Sequence, residues 1–196
     1  MRVRDLMSVV VLGLVVLTVG CGSPPKADID TAKAALEQAA TAGAEQYAAD
    51  SLKAAQDVQA ALDAELKAQE GKWFGSYDKA KQLAVDAKAA ADKAAADAAA
   101  GKEKAKADAS AAVSEAKTLL AEAQGLLDKA PKGKGSAADI EVMKGDLQTA
   151  GTAITDAEAA LGADRFLDAK AKAESAKAAA TTVKTAVEAA MAAKKK

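Results

Sequence analysis

Histidine is absent from the 196 residues, and the single cysteine, Cys21, lies near the N-terminus. The chain therefore lacks the Cys/His ligand sets of zinc sites and the His-based triads of most nucleophilic enzymes. One cysteine cannot form a disulfide within one chain. The formal charge of −1, from 27 basic and 28 acidic residues, gives no electrostatic basis for binding nucleic acid. We expect no metal, no cofactor and no nucleic-acid partner.

Aromatic residues are also scarce, with five in the whole chain, whereas 57 residues are alanine, all of them from Ala27 onward. Alanine is the best helix former, and the lysines, glutamates and leucines that accompany it follow closely. No segment alternates β-branched or aromatic residues with polar ones as a strand would. The composition predicts an all-α fold.

The first 20 residues have the pattern of a secretory signal peptide. Arg2 and Arg4 provide a positive start, and an apolar run of 14 residues follows at 6–19. A membrane-spanning helix needs about 20 apolar residues, so this run is too short for a comfortable span. We therefore set residues 1–20 aside as a lipoprotein signal peptide.

The apolar run leads into the motif Thr18-Val19-Gly20-Cys21. It resembles the lipobox of bacterial lipoproteins, in which small or apolar residues precede the cysteine that becomes the mature N-terminus. The resemblance implies that Cys21 carries acyl chains, palmitate among them, as a lipid anchor. Gly22, where Asp would favour the inner membrane, implies the outer membrane, facing the periplasm. The alternative is an ordinary cleaved signal followed by an incidental cysteine.

Helix-breaking residues after the lipidated tether at 21–27 concentrate at three places. Glycine and aromatic residues mark a turn at 71–76, proline and glycine mark a second at 131–136, and Gly162 marks a third. These turns predict four helices, at about residues 29–69, 77–129, 137–161 and 164–193. Gly101 lies inside the second helix and leaves a bend or break there open. The predicted domains are a first helical hairpin at 28–130, a linker at 131–136 and a second helical hairpin at 137–196.

Apolar residues, many of them alanine, recur every three or four positions in these helices. In the third helix they are Ile140, Met143, Leu147, Ala150, Ile154, Ala157 and Leu161. In the fourth they are Phe166, Ala169, Ala173, Ala176, Ala180, Val183, Val187 and Ala190. This spacing is typical of helices that supercoil against one another, and short turns make neighbours antiparallel. The sequence predicts elongated antiparallel helical hairpins, or a four-helix coiled-coil-like bundle, with a thin alanine core.

The first predicted hairpin carries, over about 60 residues, a pattern similar to domain of unknown function 4398, a family of Ala-rich helical hairpins in Gram-negative lipoproteins. The matching positions are Ala39-Ala40, Gly43-Ala44, Tyr47-Ala48, Leu52, Ala55, Tyr77, Ala80, Leu83-Ala84 and Ala87. The resemblance implies a helical hairpin in the cell envelope and implies no activity. This chain departs from the family in a longer hairpin loop and in Ala49, where proline commonly follows Tyr-Ala.

Trp73 and Phe74 lie at the predicted tip of the first hairpin. They fold back and seal the end of the bundle, or they are exposed apolar contacts for a partner or a membrane surface. At the other extreme, Lys194 to Lys196 end the chain. Cations there interact favourably with the helix macrodipole. Alternatively, Lys196 resembles the terminal lysine through which Braun's lipoprotein is joined to peptidoglycan.

The many carboxylates alternate with lysines along helix faces, as Lys88 does with Asp92 and Lys93 with Asp97. Catalytic carboxylates need a cleft that excludes water, so these pairs indicate solvated surfaces. The sequence therefore predicts a non-enzymatic, lipid-anchored cell-envelope lipoprotein that acts as a helical spacer or scaffold, with no small-molecule substrate. The alternative is a helical binding module for an envelope protein or peptidoglycan.

Overall fold

The structure is a computed structural model that describes residues 23–72, 75–130 and 136–193. These residues form six helices and no strand, which confirms the predicted all-α helical bundle. The helices are α1 (Lys26–Thr41), α2 (Ala44–Tyr47), α3 (Ala49–Gln69), α4 (Asp78–Asp128), α5 (Ser136–Gly162) and α6 (Phe166–Ala193).

The predicted single helix at 29–69 is wrong, because the chain reverses direction between α1 and α3. Gly43 has φ +85° and Ala48 has φ −149°, and neither angle occurs within an α-helix. A Cβ added at Gly43 would lie 3.3 Å from Cδ2 of Tyr47. Glycine therefore suits this turn both by its backbone angles and by its missing side chain.

Three helices form the first bundle: α1, α3 and the N-terminal half of α4. At one end Ile29 clusters with Leu62 and Ala80. At the other end Ala39 clusters with Leu52 and Ala98. Residue numbers thus rise together in α1 and α4 and fall in α3, so α1 runs parallel to α4 and α3 runs antiparallel to it.

The C-terminal half of α4 forms the second bundle with α5 and α6. Near its middle Ala116 clusters with Ile154 and Ala173. Near its end Leu127 clusters with Leu147, Val183 and Val187. Therefore α6 runs parallel to α4 and α5 runs antiparallel, as α1 and α3 do in the first bundle.

The long helix α4 joins the two bundles without interruption. Its 51 residues span about 77 Å at 1.5 Å per residue. Gly101 lies inside it and does not break it. The domain limits given above stay a prediction. The contacts show in addition that α4 belongs to both bundles.

Burial follows the predicted seam closely in the second bundle. Every predicted position of α6 from Phe166 to Val187 is buried, whereas Ala190 is exposed, so the seam ends one turn early. In α5 the residues from Leu147 to Ala157 on the seam are buried, and Ile140 and Met143 are partly buried. In α3 a polar residue that the pattern does not indicate, Gln59, is also buried.

Candidate functional site

The residues predicted to carry function lie outside the part of the chain that the structure describes. They are Cys21, Trp73, Phe74 and Lys196. The structure does describe the chain on both sides of the aromatic pair and the helices that lead to the two termini. The positions of those flanking residues define two ends of the molecule.

The N-terminal end is where α1 begins, α3 ends and α4 begins. Ile29, in the first turn of α1, packs with Leu62 and Ala80, and Leu66 and Tyr77 pack against the same cluster. Lys72 and Gly75, which flank the aromatic pair, belong to the short connection between α3 and α4 at this end. The described start of the chain therefore shares one end of the bundle with Lys72 and Gly75.

An ion pair closes the N-terminal end between α3 and α4. Lys79 Nζ lies 2.7 Å from Oε2 of Glu65, whose side chain is 11% exposed. Hydrogen bonds from Lys79 and then from Gln69 lower the pKa of Glu65, so its carboxylate is charged at neutral pH.

The C-terminal end is where α4 ends, α5 begins and α6 ends. Val187 and Met191 of α6 pack with Leu127 of α4 and with Ile140 and Met143 of α5. The chain leaves α6 at Ala193, three residues before Lys196. The described end of the chain thus lies at the opposite end of α4 from its described start.

A joint lies between the two ends, where two turns meet at the middle of α4. Tyr47 of the α2–α3 turn packs against a cluster that contains Ala105, Phe166 and Ala169 of the second bundle. The carbonyl oxygen of Tyr47 lies so close to α4 that a Cβ built on Gly101 would be 2.4 Å from it. Contact at that distance requires glycine.

The α5–α6 turn also contacts α4 at the joint. Asp164 adopts a left-handed backbone with φ 59°. The amide of Arg165 donates to the carbonyl of Ala160 at 2.9 Å, which ends α5 as a Schellman motif does. Lys102 Nζ lies 3.5 Å from Oδ2 of Asp164 and 5.8 Å from the centre of the Phe166 ring. Lys102 thus ties this turn to α4 through one ion pair and one cation–π contact.

A ladder of three ion pairs joins α4 to α6 along the second bundle. Each pair is separated by 62 positions, and successive pairs are one heptad apart. A constant separation keeps the two parallel helices in one register. The pairs are Lys170–Asp108 at 3.1 Å, Lys177–Glu115 at 2.7 Å and Lys184–Glu122 at 2.7 Å.

The ladder shifts the pKa of Asp108, Glu115, Lys177 and Lys184 in the direction of the charged forms. Hydrogen bonds from Lys104 and Lys170 lower the pKa of Asp108. A hydrogen bond to Glu115 raises the pKa of Lys177, and the same bond lowers the pKa of Glu115. Because these side chains are partly exposed, each pair contributes little stability and mainly fixes register.

Several of the described carboxylates pair with lysines at the surface. The two predicted pairs, Lys88–Asp92 and Lys93–Asp97, are present, each with N–O distances of 2.5 Å. A carboxyl that serves as a general acid has a raised pKa. Hydrogen bonds from Lys93 and Ser51 instead lower the pKa of Asp97.

Concave features are shallow over the residues that the structure describes. A depression of about 290 Å³ lies between α4 and α5, over Leu127 and Leu147 and beside Lys144. In the same described ranges, no three His, Cys, Asp or Glu side chains are grouped so as to hold a metal ion.

Comparison of the chain with protein-family models, with curated proteins and with solved structures finds no match. Within residues 23–72, 75–130 and 136–193, no helix has the length and apolar character needed to cross a membrane.

Sequence reasoning missed the joint and the ladder. The joint had one signal, since Gly101 occupies the α4 seam position between Ala98 and Ala105 in 3-4 spacing. The ladder was readable from the heptad spacing of Asp108, Glu115 and Glu122 on α4 against three lysines on α6.

Proposed function

We propose that this protein is a non-enzymatic lipoprotein of the cell envelope, anchored through Cys21, that acts as a helical spacer or scaffold. The observation that carries the proposal is the placement of the described chain ends at opposite ends of the 51-residue helix α4. A chain that enters at one end and leaves about 77 Å away can hold two layers apart. No catalytic residue, cofactor or small-molecule substrate belongs to this proposal.

The anchor itself rests on the sequence. A lipid on Cys21 would be followed by a short tether that includes Pro24 and Pro25, and α1 begins at Lys26. Several acyl chains hold a protein firmly, because each buried methylene contributes about 0.8 kcal/mol. Gly22 supports the outer membrane as the location, and the similarity of the first predicted hairpin to domain of unknown function 4398 supports the envelope.

Mass spectrometry of the mature N-terminus tests the anchor. After expression in a Gram-negative host, we expect Cys21 to carry acyl chains and the Cys21→Ser variant to carry none. Ser23→Ala, two residues further on and exposed, is the matched control and should be lipidated as the original chain is. An unmodified thiol on an exported, membrane-free product would contradict the proposal.

Fluorescence quenching at a lipid surface tests the spacer. Labels are placed through Lys72→Cys at the N-terminal end and Ala192→Cys at the C-terminal end, in the full chain bound to vesicles. A quencher confined to the lipid headgroups should quench the first label strongly and the second little, because the two ends of α4 are about 77 Å apart. Equal quenching would mean that the molecule lies flat on the membrane, and the spacer proposal would fail even with the anchor intact.

A second function is supported by the position of Lys72 and Gly75. These residues flank Trp73 and Phe74 and lie at the same end as the start of α1. An aromatic pair beside the anchor could contact an envelope protein or the membrane surface itself. This is the binding-module alternative.

Crosslinking in cells tests the aromatic pair. We expect Trp73→Ala and Phe74→Ala to weaken crosslinks to a partner near the anchor. Val142→Ala is the matched control, because Val142 is 64% exposed but belongs to the second bundle. If the crosslinks persist after both aromatic substitutions, Trp73 and Phe74 do not contact a partner.

Attachment to peptidoglycan through Lys196 is the most specific form of the spacer proposal. The support for it is that α6 ends at Ala193, at the C-terminal end and away from the start of α1. Mass spectrometry of purified sacculi should detect a muropeptide joined to Lys196, and deletion of Lys196 should abolish it. Sacculi that carry no such peptide would leave the spacer without a covalent link to the wall.

A further inference from the structure

At Gly101 the seam of α4 packs against the backbone of the Tyr47 turn. Ala94 and Ala98 precede this position and Ala105 and Ala109 follow it, all of them buried, and Gly101 stands between in the same 3-4 spacing. The atoms nearest to a Cβ built on Gly101 all belong to Tyr47: the carbonyl oxygen at 2.4 Å, Cβ at 3.1 Å and the carbonyl carbon at 3.2 Å. The turn of the first bundle therefore sits directly on the middle of α4.

Gly101 also lowers the intrinsic helix stability of α4 near its midpoint. Glycine inside a helix costs about 1 kcal/mol relative to alanine. No residue of α4 between Ala98 and Ala105 is buried, whereas elsewhere along the first bundle a buried residue recurs every three or four positions. A rod built on one long helix would bend where that helix has a glycine and little side-chain packing. In α4 both occur near the midpoint.

The Tyr47 side chain reaches across this weak point. Although Tyr47 belongs to the first bundle in sequence, it packs against the cluster that contains Ala105, Phe166 and Ala169 of the second bundle. The α5–α6 turn reaches α4 next to it, through the pairing of Asp164 with Lys102. The two turns thus both contact α4 near Gly101.

We propose that Tyr47 and Gly101 form a lock that makes the two bundles one rigid, cooperatively folded rod. The Tyr47 backbone packs on Gly101 in the first bundle while its ring packs in the second bundle. Bending of α4 near Gly101 separates the ring from its cluster. The inference concerns the described helices alone and does not rest on the lipid anchor or on the proposed function.

Hydrogen exchange on the full chain in detergent tests the lock. Tyr47→Ala should speed exchange of the amides at 99–106 and 160–167 by about tenfold or more. In the original chain local opening has to break the contacts of the Tyr47 ring, and in the variant there are no such contacts to break. Tyr77→Ala is the matched control, because Tyr77 is the other tyrosine, is also partly buried and packs against a cluster at the N-terminal end. It should leave exchange at 99–106 and 160–167 within about twofold of the original.

A glycine pair on α4 provides the second test. Gly101→Ala places a Cβ against the Tyr47 backbone and should speed exchange in the same two segments, although alanine raises helix propensity. Gly125→Ala is the matched control on the same helix, where a Cβ meets nothing within 4 Å. It should slow exchange or leave it unchanged. Tyr47→Phe keeps the ring and should behave like the original chain.

Calorimetry on the same variants gives an independent measure. The original chain should unfold in one transition, and Tyr47→Ala in two, one for each bundle. Tyr47→Ala exchange that is unchanged at 160–167 would overturn the proposal, because the ring would then not couple the bundles. Equal acceleration in Tyr77→Ala would also overturn it, because the effect would then reflect loss of overall stability.

Discussion

The first bundle and the second bundle pack around the same helix, yet they fill their cores differently. In the first, the buried apolar residues larger than alanine are Ile29, Leu52 and Leu62, and Gln59 is buried among them. In the second, they are Val113, Leu127, Leu147, Ile154, Phe166, Val183 and Val187. Apolar area carries most of the stabilisation. The second bundle should therefore be the more stable one, and the first should depend on helix propensity and on the joint.

Truncation of the largest buried side chain in each bundle should have the largest effects. Phe166→Ala should lower the free energy of unfolding by about 4 kcal/mol, and Leu62→Ala by about 3 kcal/mol, because both side chains are almost fully buried and leave cavities. Urea denaturation followed by circular dichroism measures both. If Leu62→Ala costs more than Phe166→Ala, the first bundle holds the molecule together and the comparison is reversed.

Replacement of the buried glutamine should strengthen the first bundle. The Nε2 of Gln59 donates to Asp63 at 3.1 Å, but its Oε1 is buried with no hydrogen-bond partner. Gln59→Leu removes that unsatisfied oxygen and adds apolar contact, so it should raise the free energy of unfolding by about 1–2 kcal/mol. Gln56→Leu, exposed on the same helix, should change it by less than about 0.5 kcal/mol. A loss of stability in Gln59→Leu would mean that the amide is needed where it lies.

Acid should weaken the contact of α6 with α4, and its effect on stability should be smaller than the effects of the substitutions above. The pKa of Asp108 and of Glu115 is lowered in the folded chain by hydrogen bonds from lysines. A lowered pKa gives stability that is present above the ordinary carboxyl pKa of about 4 and is lost as pH falls through the folded value. Urea midpoints should therefore fall between pH 5 and pH 3, and less so in the Asp108→Asn, Glu115→Gln double variant.

The matched control for the acid experiment is Asp92→Asn. Asp92 pairs with Lys88 of its own helix, four residues away. Its loss removes no contact between helices, so the pH dependence should stay close to that of the original chain. Equal flattening in both variants would show that the ladder has no special part in acid stability.

The sequence predicts the second bundle better than the first because side-chain size distinguishes its seam. The turn at Gly162 and the start of α6 at Phe166 follow from a glycine and a clear apolar spacing. The reversal of the chain at 42–48 does not follow from the sequence, because this alanine-rich segment favours helix throughout and Gly43 is the only helix-breaking residue in it. Tertiary packing determines the reversal, because a straight continuation of α1 or α3 along α4 would occupy the space that Ala160 and Phe166 fill.

The structure at Gly101 is a second feature that the sequence alone does not predict. An isolated glycine in a helical pattern predicts weakness or a bend. The structure instead keeps α4 continuous through Gly101, and the Tyr47 turn packs on that position. No local pattern in the sequence contains this tertiary contact.

The parallel course of α1 and α6 along α4 has a mechanical consequence. A force that pulls the two chain ends apart acts along the helix axes, so α1 would have to slide past α4 over its whole length, and so would α6. Every layer of the seam then resists at once, whereas peeling a hairpin apart breaks one layer at a time. A molecule assembled from very small side chains can in this way bear tension that its modest core would not suggest.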